Sequence, residues 1–144
     1  MQVFIIGSPM ETVVAMTGDT HRYNKQVVEI GQIIDALNGK KAWSRHPAVL
    51  QYQGYVRWLQ YYKLCLIAHL VNDLDGVEKF DALALQITPP FHTEEYFDQM
   101  KRRLYTKNPE HYKQWEYLGT SLENWYWSPT ENKFIKYVNG KRIE

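Results

Sequence analysis

Arg22-Tyr-Asn-Lys-Gln-Val-Val-Glu29-Ile-Gly-Gln32 is the stretch whose spacing says most about the fold of this chain. Its polar members form one set: Arg22, Lys25, Glu29 and Gln32. On a helix that turns by about 100° per residue, all four fall within roughly 80° of one another. The apolar residues in and after the stretch gather on a second face: Tyr23, Val27, Ile30, Ile33, Ile34 and Leu37. The spacing therefore predicts a helix that buries one face and carries a single carboxylate on a neighbouring polar stripe.

Local sequence patterns bound this helix and a second one. Asp19 or Thr20 can cap the first helix, and Asn38-Gly39 is typical of its C-terminal end. His46-Pro47 opens the second helix, because proline suits a first helical turn. We expect this second helix to run to about residue 73. Apolar residues fall on nearly every face over residues 58–71, so it is predicted to be the central helix.

The remainder of the chain predicts shorter elements. Thr93 can cap a third helix that runs to about residue 105. Residues 125–138 predict a small hairpin, followed by a turn at Asn139-Gly140. The predicted fold class is mainly α, a compact single-domain helical fold over residues 1–144 with a small C-terminal β-hairpin. The weaker patterns predict a strand or extended arm at 3–6, an ambiguous segment at 11–16, a polar turn at 73–81, a short uncertain segment at 83–87 and one or two helical turns at 109–116.

Composition limits how the chain could bind nucleic acid. It has 144 residues and a formal net charge of +1, so it carries no overall attraction for a polyanion. DNA binding would require a local patch. The basic candidates fall into three groups: Arg22, Lys25, Lys40, Lys41, Arg45 and His46, then Lys101, Arg102, Arg103 and Lys107, and finally Lys133, Lys136, Lys141 and Arg142. Gln32, on the polar stripe of the first helix, is a further candidate DNA contact. Eleven Tyr and five Trp can fill a core or support an unstacked base.

The sequence lacks the patterns typical of a disulfide, a metal site or a phosphate-binding loop. The single cysteine, Cys65, excludes an internal disulfide and lies in an apolar run, so we expect a buried, unreactive thiol. The five histidines do not form a helical metal-binding pair, and no glycine-rich phosphate loop is present. We predict no metal, no cofactor and no membrane segment, and a soluble protein of a reducing compartment.

Glu29 is the candidate that retains a chemical role. A carboxylate near cations and beside a core can act in acid–base or electrostatic catalysis. Cleavage of a glycosidic bond passes through an oxocarbenium-like state, which one anion can stabilise. Basic residues would hold phosphates, and aromatic rings would support a base removed from the stack. The residues thus permit chemistry on DNA without demonstrating it.

Four motifs, taken in order, resemble the pyrimidine dimer DNA glycosylase family. They are Arg22-x-x-Lys25-Gln26-x-x-Glu29, Arg45-His46-Pro47-Ala48-Val49, Gly54-Tyr55 and Lys107-Asn108-Pro109-Glu110-x-Tyr112. The resemblance extends over about residues 17–115. It implies a compact, mainly helical enzyme in the cytoplasm of a bacterial or phage-infected cell. Such an enzyme acts on double-stranded DNA, flips out a nucleotide, cuts the glycosidic bond and nicks the backbone by β-elimination without a metal.

The resemblance also assigns roles to residues. In the family the N-terminal α-amine is the nucleophile and forms a Schiff base with the sugar, while a carboxylate on the first long helix is the acidic residue. Glu29 matches that carboxylate. Residue 2 is Gln, and a side chain of that size usually prevents removal of the initiator methionine. The nucleophile here would therefore be the amine of Met1. Arg22 and Lys25 match basic positions of the helix, whereas Gln32 replaces an arginine of the best-known member.

Two other functions remain open at this level. The altered N-terminus and the amide at Gln32 are compatible with a non-catalytic DNA-binding protein of the same fold. The near-zero net charge and the aromatic hairpin at 125–138 are compatible with a protein-binding role, for example a phage accessory or anti-defence factor. The partner in that second case is undetermined by the sequence.

Overall fold

The computed structural model describes residues 1–144 and contains six α-helices, one 3-10 helix and three short strands. The bounds are α1 (Pro9–Met16), α2 (Thr20–Leu37), α3 (Pro47–Leu50), α4 (Val56–Leu70), α5 (Leu74–Gln86), α6 (Glu94–Lys107), the 3-10 helix (Lys113–Leu118), β1 (Asn124–Ser128), β2 (Lys133–Val138) and β3 (Lys141–Arg142). The predicted mainly α class with a small C-terminal β element is confirmed. No helix has both the length and the apolar character needed to span a bilayer.

The first long helix forms where the sequence predicts it. Asp19 is its N-cap and its side chain accepts a hydrogen bond from the Arg22 backbone N–H. Tyr23, Ile30 and Ile33 are buried along the apolar stripe. The helix ends at Leu37, with Gly39 in the left-handed region at φ +110°. The α2 prediction is therefore confirmed at both ends.

The predicted second helix, from 46 to about 73, is wrong as a single element. It is divided into α3 and α4 by a turn in which Gly54 has φ +87°. That conformation suits glycine and cannot continue a right-handed helix. The break turns the buried Tyr52 ring onto Trp58, with 5.7 Å between ring centroids. The central position is confirmed, because α4 packs against α1, α2 and α5.

The predicted polar turn at 73–81 is also wrong, since residues 74–81 lie within α5. Asp73 caps that helix by accepting a hydrogen bond from the Gly76 N–H at 2.9 Å. Val77 and Ala84, seven residues apart, are buried against the core. The polar composition of this segment indicated a turn. Burial of its sparse apolar stripe against the core nevertheless stabilises a helix there.

The N-terminal arm, residues 1–6, is extended and joins no sheet. Val3, Phe4 and Ile5 are at most 1% exposed. The Tyr62 hydroxyl donates to the Phe4 carbonyl, and the Tyr96 hydroxyl donates to the Val3 carbonyl at 3.4 Å. The arm is thus part of the core, and α1 follows it through a Ser8–Glu11 capping box.

The C-terminal strands form one antiparallel sheet of order β1-β2-β3. Its register places Tyr126 opposite Ile135 and Asn124 opposite Tyr137. Trp125 and Tyr126 are buried, so the hairpin covers the helical core. Its two most buried rings are consequently not available as exposed anchors for a partner protein.

Candidate active site

The N-terminal amine and the Glu29 carboxylate lie together, although 27 residues separate the arm from the acidic residue. The Met1 nitrogen is 3.8 Å from Glu29 Oε2, and both side chains are at least nine-tenths buried. The Gln2 backbone N–H donates to the same oxygen at 3.1 Å. Glu29 Oε1 has no hydrogen-bond partner within the protein. One carboxylate oxygen therefore holds the arm, and the other is available to a ligand.

Gln26, one helical turn before Glu29, fixes the arm along α2. Its Oε1 accepts a hydrogen bond from the Phe4 N–H, and its Nε2 donates to the Gln2 carbonyl at 2.9 Å. The side chain is 1% exposed, so these two bonds form away from solvent. Gln26 thus replaces the neighbouring strand that an extended backbone would otherwise require.

Tyr126 and His46 enclose the amine from the side of the hairpin. The Tyr126 hydroxyl donates to the Met1 carbonyl at 2.8 Å, and its ring meets the His46 ring edge-on at 5.7 Å. His46 Nδ1 accepts a hydrogen bond from the Ala48 N–H at the start of α3. Burial, and then the N-terminal amine, lower the pKa of His46 against an opposing effect of Glu29. The imidazole is consequently held neutral beside the amine, with Nε2 as its protonated nitrogen.

Three cationic side chains extend the site towards α6. Arg22 is 7% exposed, lies over the Phe4 ring at 5.2 Å and makes no hydrogen bond or ion pair through its guanidinium. Arg103 is also buried, and its hydrogen bonds go to neutral oxygens of Asn124 and Ser121. Neither guanidinium therefore has a carboxylate partner, which leaves unpaired positive charge on the facing parts of α2 and α6.

Lys107 completes this group at the C-terminal end of α6. Partial desolvation lowers the pKa of this surface-exposed lysine to about 8, and nearby cations, first Arg103, then Arg22 and Lys25, add to the effect. Glu29 opposes the shift. Because the cations depress the charge of this lysine in spite of Glu29, positive charge exceeds negative charge in this region. A phosphate group would balance it.

The structure brings only part of the predicted DNA-binding set into this centre. Arg22 and His46 contact its elements, whereas Lys25, Lys41 and Arg45 are exposed around it. Gln32 is half-buried on α2 and makes no side-chain hydrogen bond. Cys65 is buried in the core, and burial raises the pKa of its thiol to about 12.

Sequence reasoning assigned no site role to Gln26 and Tyr126, and it named Arg103 and Lys107 only among the basic residues that could form a patch. The spacing of Arg103 and Lys107, four residues apart, marks neighbours on one helix face and could have paired them. Tyr126 had no such pattern, because its role depends on a contact with a residue 125 positions away.

A comparison with protein families supplies an independent finding. A family model described as pyrimidine dimer DNA glycosylase matches residues 1–72, half of the chain. The chain belongs to the pyrimidine dimer DNA glycosylase family. Searches of curated proteins and of solved structures each return no match.

The match begins at the N-terminal arm and includes Glu29, His46 and the Gly54 turn. It thus covers the first sixteen residues, which the motif comparison had left outside the resemblance, and ends before the motif at 107–112. Membership of this family supports DNA glycosylase function and DNA as the substrate. The elements that complete the site, α6 and the hairpin, lie beyond the matched residues.

Proposed function

We propose that this protein is a DNA glycosylase with AP lyase activity that uses the Met1 amine and Glu29 on a damaged or modified base in double-stranded DNA. The observation that carries the proposal is the 3.8 Å approach of the Met1 nitrogen to Glu29 Oε2. An amine nucleophile needs a group that accepts its proton and an anion that stabilises the cationic transition state of the sugar. Glu29 provides both, since one oxygen holds the arm and the other is unpartnered.

In the first step the unprotonated amine forms a bond to C1′ of the sugar while the glycosidic C1′–N bond breaks. The electron pair of that bond leaves with the base, which takes up a proton. Glu29 stabilises the positive charge that develops on the sugar, and the attacking nitrogen loses a proton to the carboxylate. Positive charge develops on the sugar, which the free Oε1 of Glu29 can approach. The carboxylate therefore stabilises the transition state more than the ground state.

In the second step the sugar ring opens, with a proton transferred to O4′, and the amine forms an iminium with C1′. This iminium acidifies the C2′ hydrogen. Removal of that proton expels the 3′ phosphate by cleavage of the C3′–O bond, and water then releases the enzyme amine. Glu29 is the group beside the amine that could carry these protons, while the Nε2–H of the neutral His46 could donate a hydrogen bond to the sugar.

The cations provide the matching contacts to the backbone. Arg22, on the helix that carries Glu29, and Arg103 and Lys107, on α6, would bind the phosphates flanking the reacting sugar. Lys25, Lys41 and Arg45 are exposed farther out, where they would add salt-sensitive attraction to the duplex. Gln32 can offer only a neutral amide contact. Trp43, which is 52% exposed and 6.0 Å from the His46 ring, is placed to stack on a base.

The test is borohydride trapping combined with intact-mass analysis. The substrates are duplexes that carry an abasic site, a UV dimer or a modified cytosine. We expect a covalent adduct at the N-terminus. We also expect Glu29→Gln to lose base release while DNA binding is retained, because the amide can still accept the Gln2 hydrogen bond but cannot stabilise the cation. Glu78→Gln, an exposed change on α5, is the matched control.

Mass analysis also identifies the reacting amine. If Met1 is removed in the cell, the Gln2 nitrogen becomes the free amine at 3.1 Å from Glu29 Oε2, and the adduct maps there instead. Full base release by Glu29→Gln would refute the proposed mechanism. Salt-sensitive DNA binding without base release or adduct on any substrate would favour the non-catalytic reading.

A further inference from the structure

The solvent-facing side of α4 carries an apolar stripe. Leu64, Ile67 and Val71 follow one another at intervals of three and four residues, so they lie on one face of the helix. They are 38%, 41% and 69% exposed. The sequence has apolar residues on nearly every face of this segment, and the packing of α4 against α1, α2 and α5 leaves this face uncovered. A contiguous exposed apolar surface is typical of an interaction site.

This stripe borders a groove of about 480 Å³, here called the α2–α4 groove, which is lined by residues of these two helices. Four of its seven lining residues are apolar or aromatic: Ile34, Tyr61, Leu64 and Ile67. Between Arg57 and Ile67 the groove follows α4 for about 15 Å, or nearly three helical turns. A groove of this length suits an α-helix that presents apolar residues at i, i+3 or i+4, and i+7.

The charges of the α2–α4 groove have one sign. Arg57 and Lys63 are its charged members, no carboxylate lines it, and neither cation forms an ion pair within the protein. The Lys63 ammonium lies against α2 at Gly31, 3.3 Å from the position that a β-carbon there would occupy. Asp35 of α2 is already paired with Lys40 at 3.7 Å. An acidic ligand would therefore meet two uncompensated cations beside an apolar wall.

The groove lies on the side of α2 away from the polar stripe that carries Glu29. Ile34 follows Lys25 by about two and a half helical turns, so the two side chains leave the helix in opposite directions. Glu29 and Ile34 are separated by about 140° around the same axis. A protein bound in the groove therefore leaves the Met1 amine and the Glu29 carboxylate uncovered.

We propose that the α2–α4 groove docks an acidic amphipathic helix of a partner protein while DNA occupies the opposite side of α2. The apolar face of such a helix covers Leu64 and Ile67, and its acidic flank pairs with Arg57 and Lys63. A second copy of this chain is a poorer occupant, because a two-fold interface uses the same residues from both copies and so adds cations without a carboxylate. The proposal does not depend on the chemistry at the amine.

The experiment presents a display library of helix-forming peptides to the full-length protein bound to a duplex that carries a tetrahydrofuran abasic analogue. The duplex occupies the cations around the amine, so it keeps acidic peptides from that site. We expect the selected peptides to combine Glu or Asp with large apolar residues at helical spacing. The most enriched peptide is then synthesised and titrated by fluorescence anisotropy against the native protein and its variants.

Leu64→Asp and Arg57→Glu should each weaken peptide binding about tenfold or more, the loss expected for an interface anchor. Leu85→Asp adds the same charge at an exposed leucine of α5 outside the groove, so this matched control should bind the peptide like the native protein. Arg57 is exposed, and Arg57→Glu therefore carries the test if Leu64→Asp does not fold.

Three results would overturn the proposal. They are selection of no peptide with the acidic helical pattern, peptide affinity that is unchanged in both variants, and a native dimer in sedimentation equilibrium that Leu64→Asp abolishes. The last result would assign the groove to a second copy. Absence of duplex binding by the native protein would count against the proposed function alone, and selection on the free protein with the same variants would then test the groove.

Discussion

Replacement of Gln26 by Met is the sharpest test of how the arm is held. Methionine has nearly the volume of glutamine, so Gln26→Met removes the two hydrogen bonds without opening a large cavity. It leaves the Phe4 N–H and the Gln2 carbonyl buried without partners. Each unsatisfied group costs about 1–3 kcal/mol, so the expected loss in free energy of unfolding is about 2–6 kcal/mol.

The arm can avoid that cost only by leaving the core. Detachment would expose Val3, Phe4 and Ile5, which are at most 1% exposed. Burial of each such side chain contributes about 1.5–3 kcal/mol, or about 4.5–9 kcal/mol for the three together. Detachment is therefore the more costly response over most of this range. We expect the arm to remain in place, with its amine displaced from Glu29.

Urea denaturation followed by circular dichroism measures the stability change, and borohydride trapping on an abasic duplex measures the rate at the amine. A displacement of about 1 Å can slow a reaction on the order of a hundredfold, so trapping should fall steeply in conditions where the variant is folded. Gln60→Met, an exposed change on α4, should alter neither quantity. A stability loss below about 1 kcal/mol with native trapping would refute the role assigned to Gln26.

Two further predictions concern the cations. The pKa of Lys107 is lowered to about 8, so its charge is lost as the pH rises through that value, and DNA affinity should fall between pH 7 and 9. The Lys107→Arg variant keeps its charge and should bind DNA nearly equally at both pH values. An equal loss of affinity in this variant would assign the titration to another group. Arg22→Ala should reduce the salt dependence of binding by about one phosphate contact. An unchanged salt slope, as expected for the control Lys79→Ala on α5, would remove Arg22 from the interface.

Local patterns in the sequence were sufficient for the elements whose ends are chemically marked. Asp19 and Gly39 bound α2, Thr93 caps α6, and turn residues separate the strands of the hairpin. These predictions succeeded because capping and turn formation depend on residues within a few positions of one another. The α5 helix was missed because its polar sequence forms a helix only when Val77 and Ala84 pack on the core.

The sequence by itself also identified Glu29 as the carboxylate of a polar stripe, and its resemblance to the glycosylase family implied the amine of Met1 as the nucleophile. Only the tertiary structure decided that the two lie 3.8 Å apart. That proximity depends on Gln26, Tyr62 and Tyr126, which hold an extended arm through contacts between residues up to 125 positions apart. Helical spacing describes one element at a time, whereas this site forms where an arm, two helices and a hairpin meet, and their meeting is set by the burial of apolar surface from the whole chain.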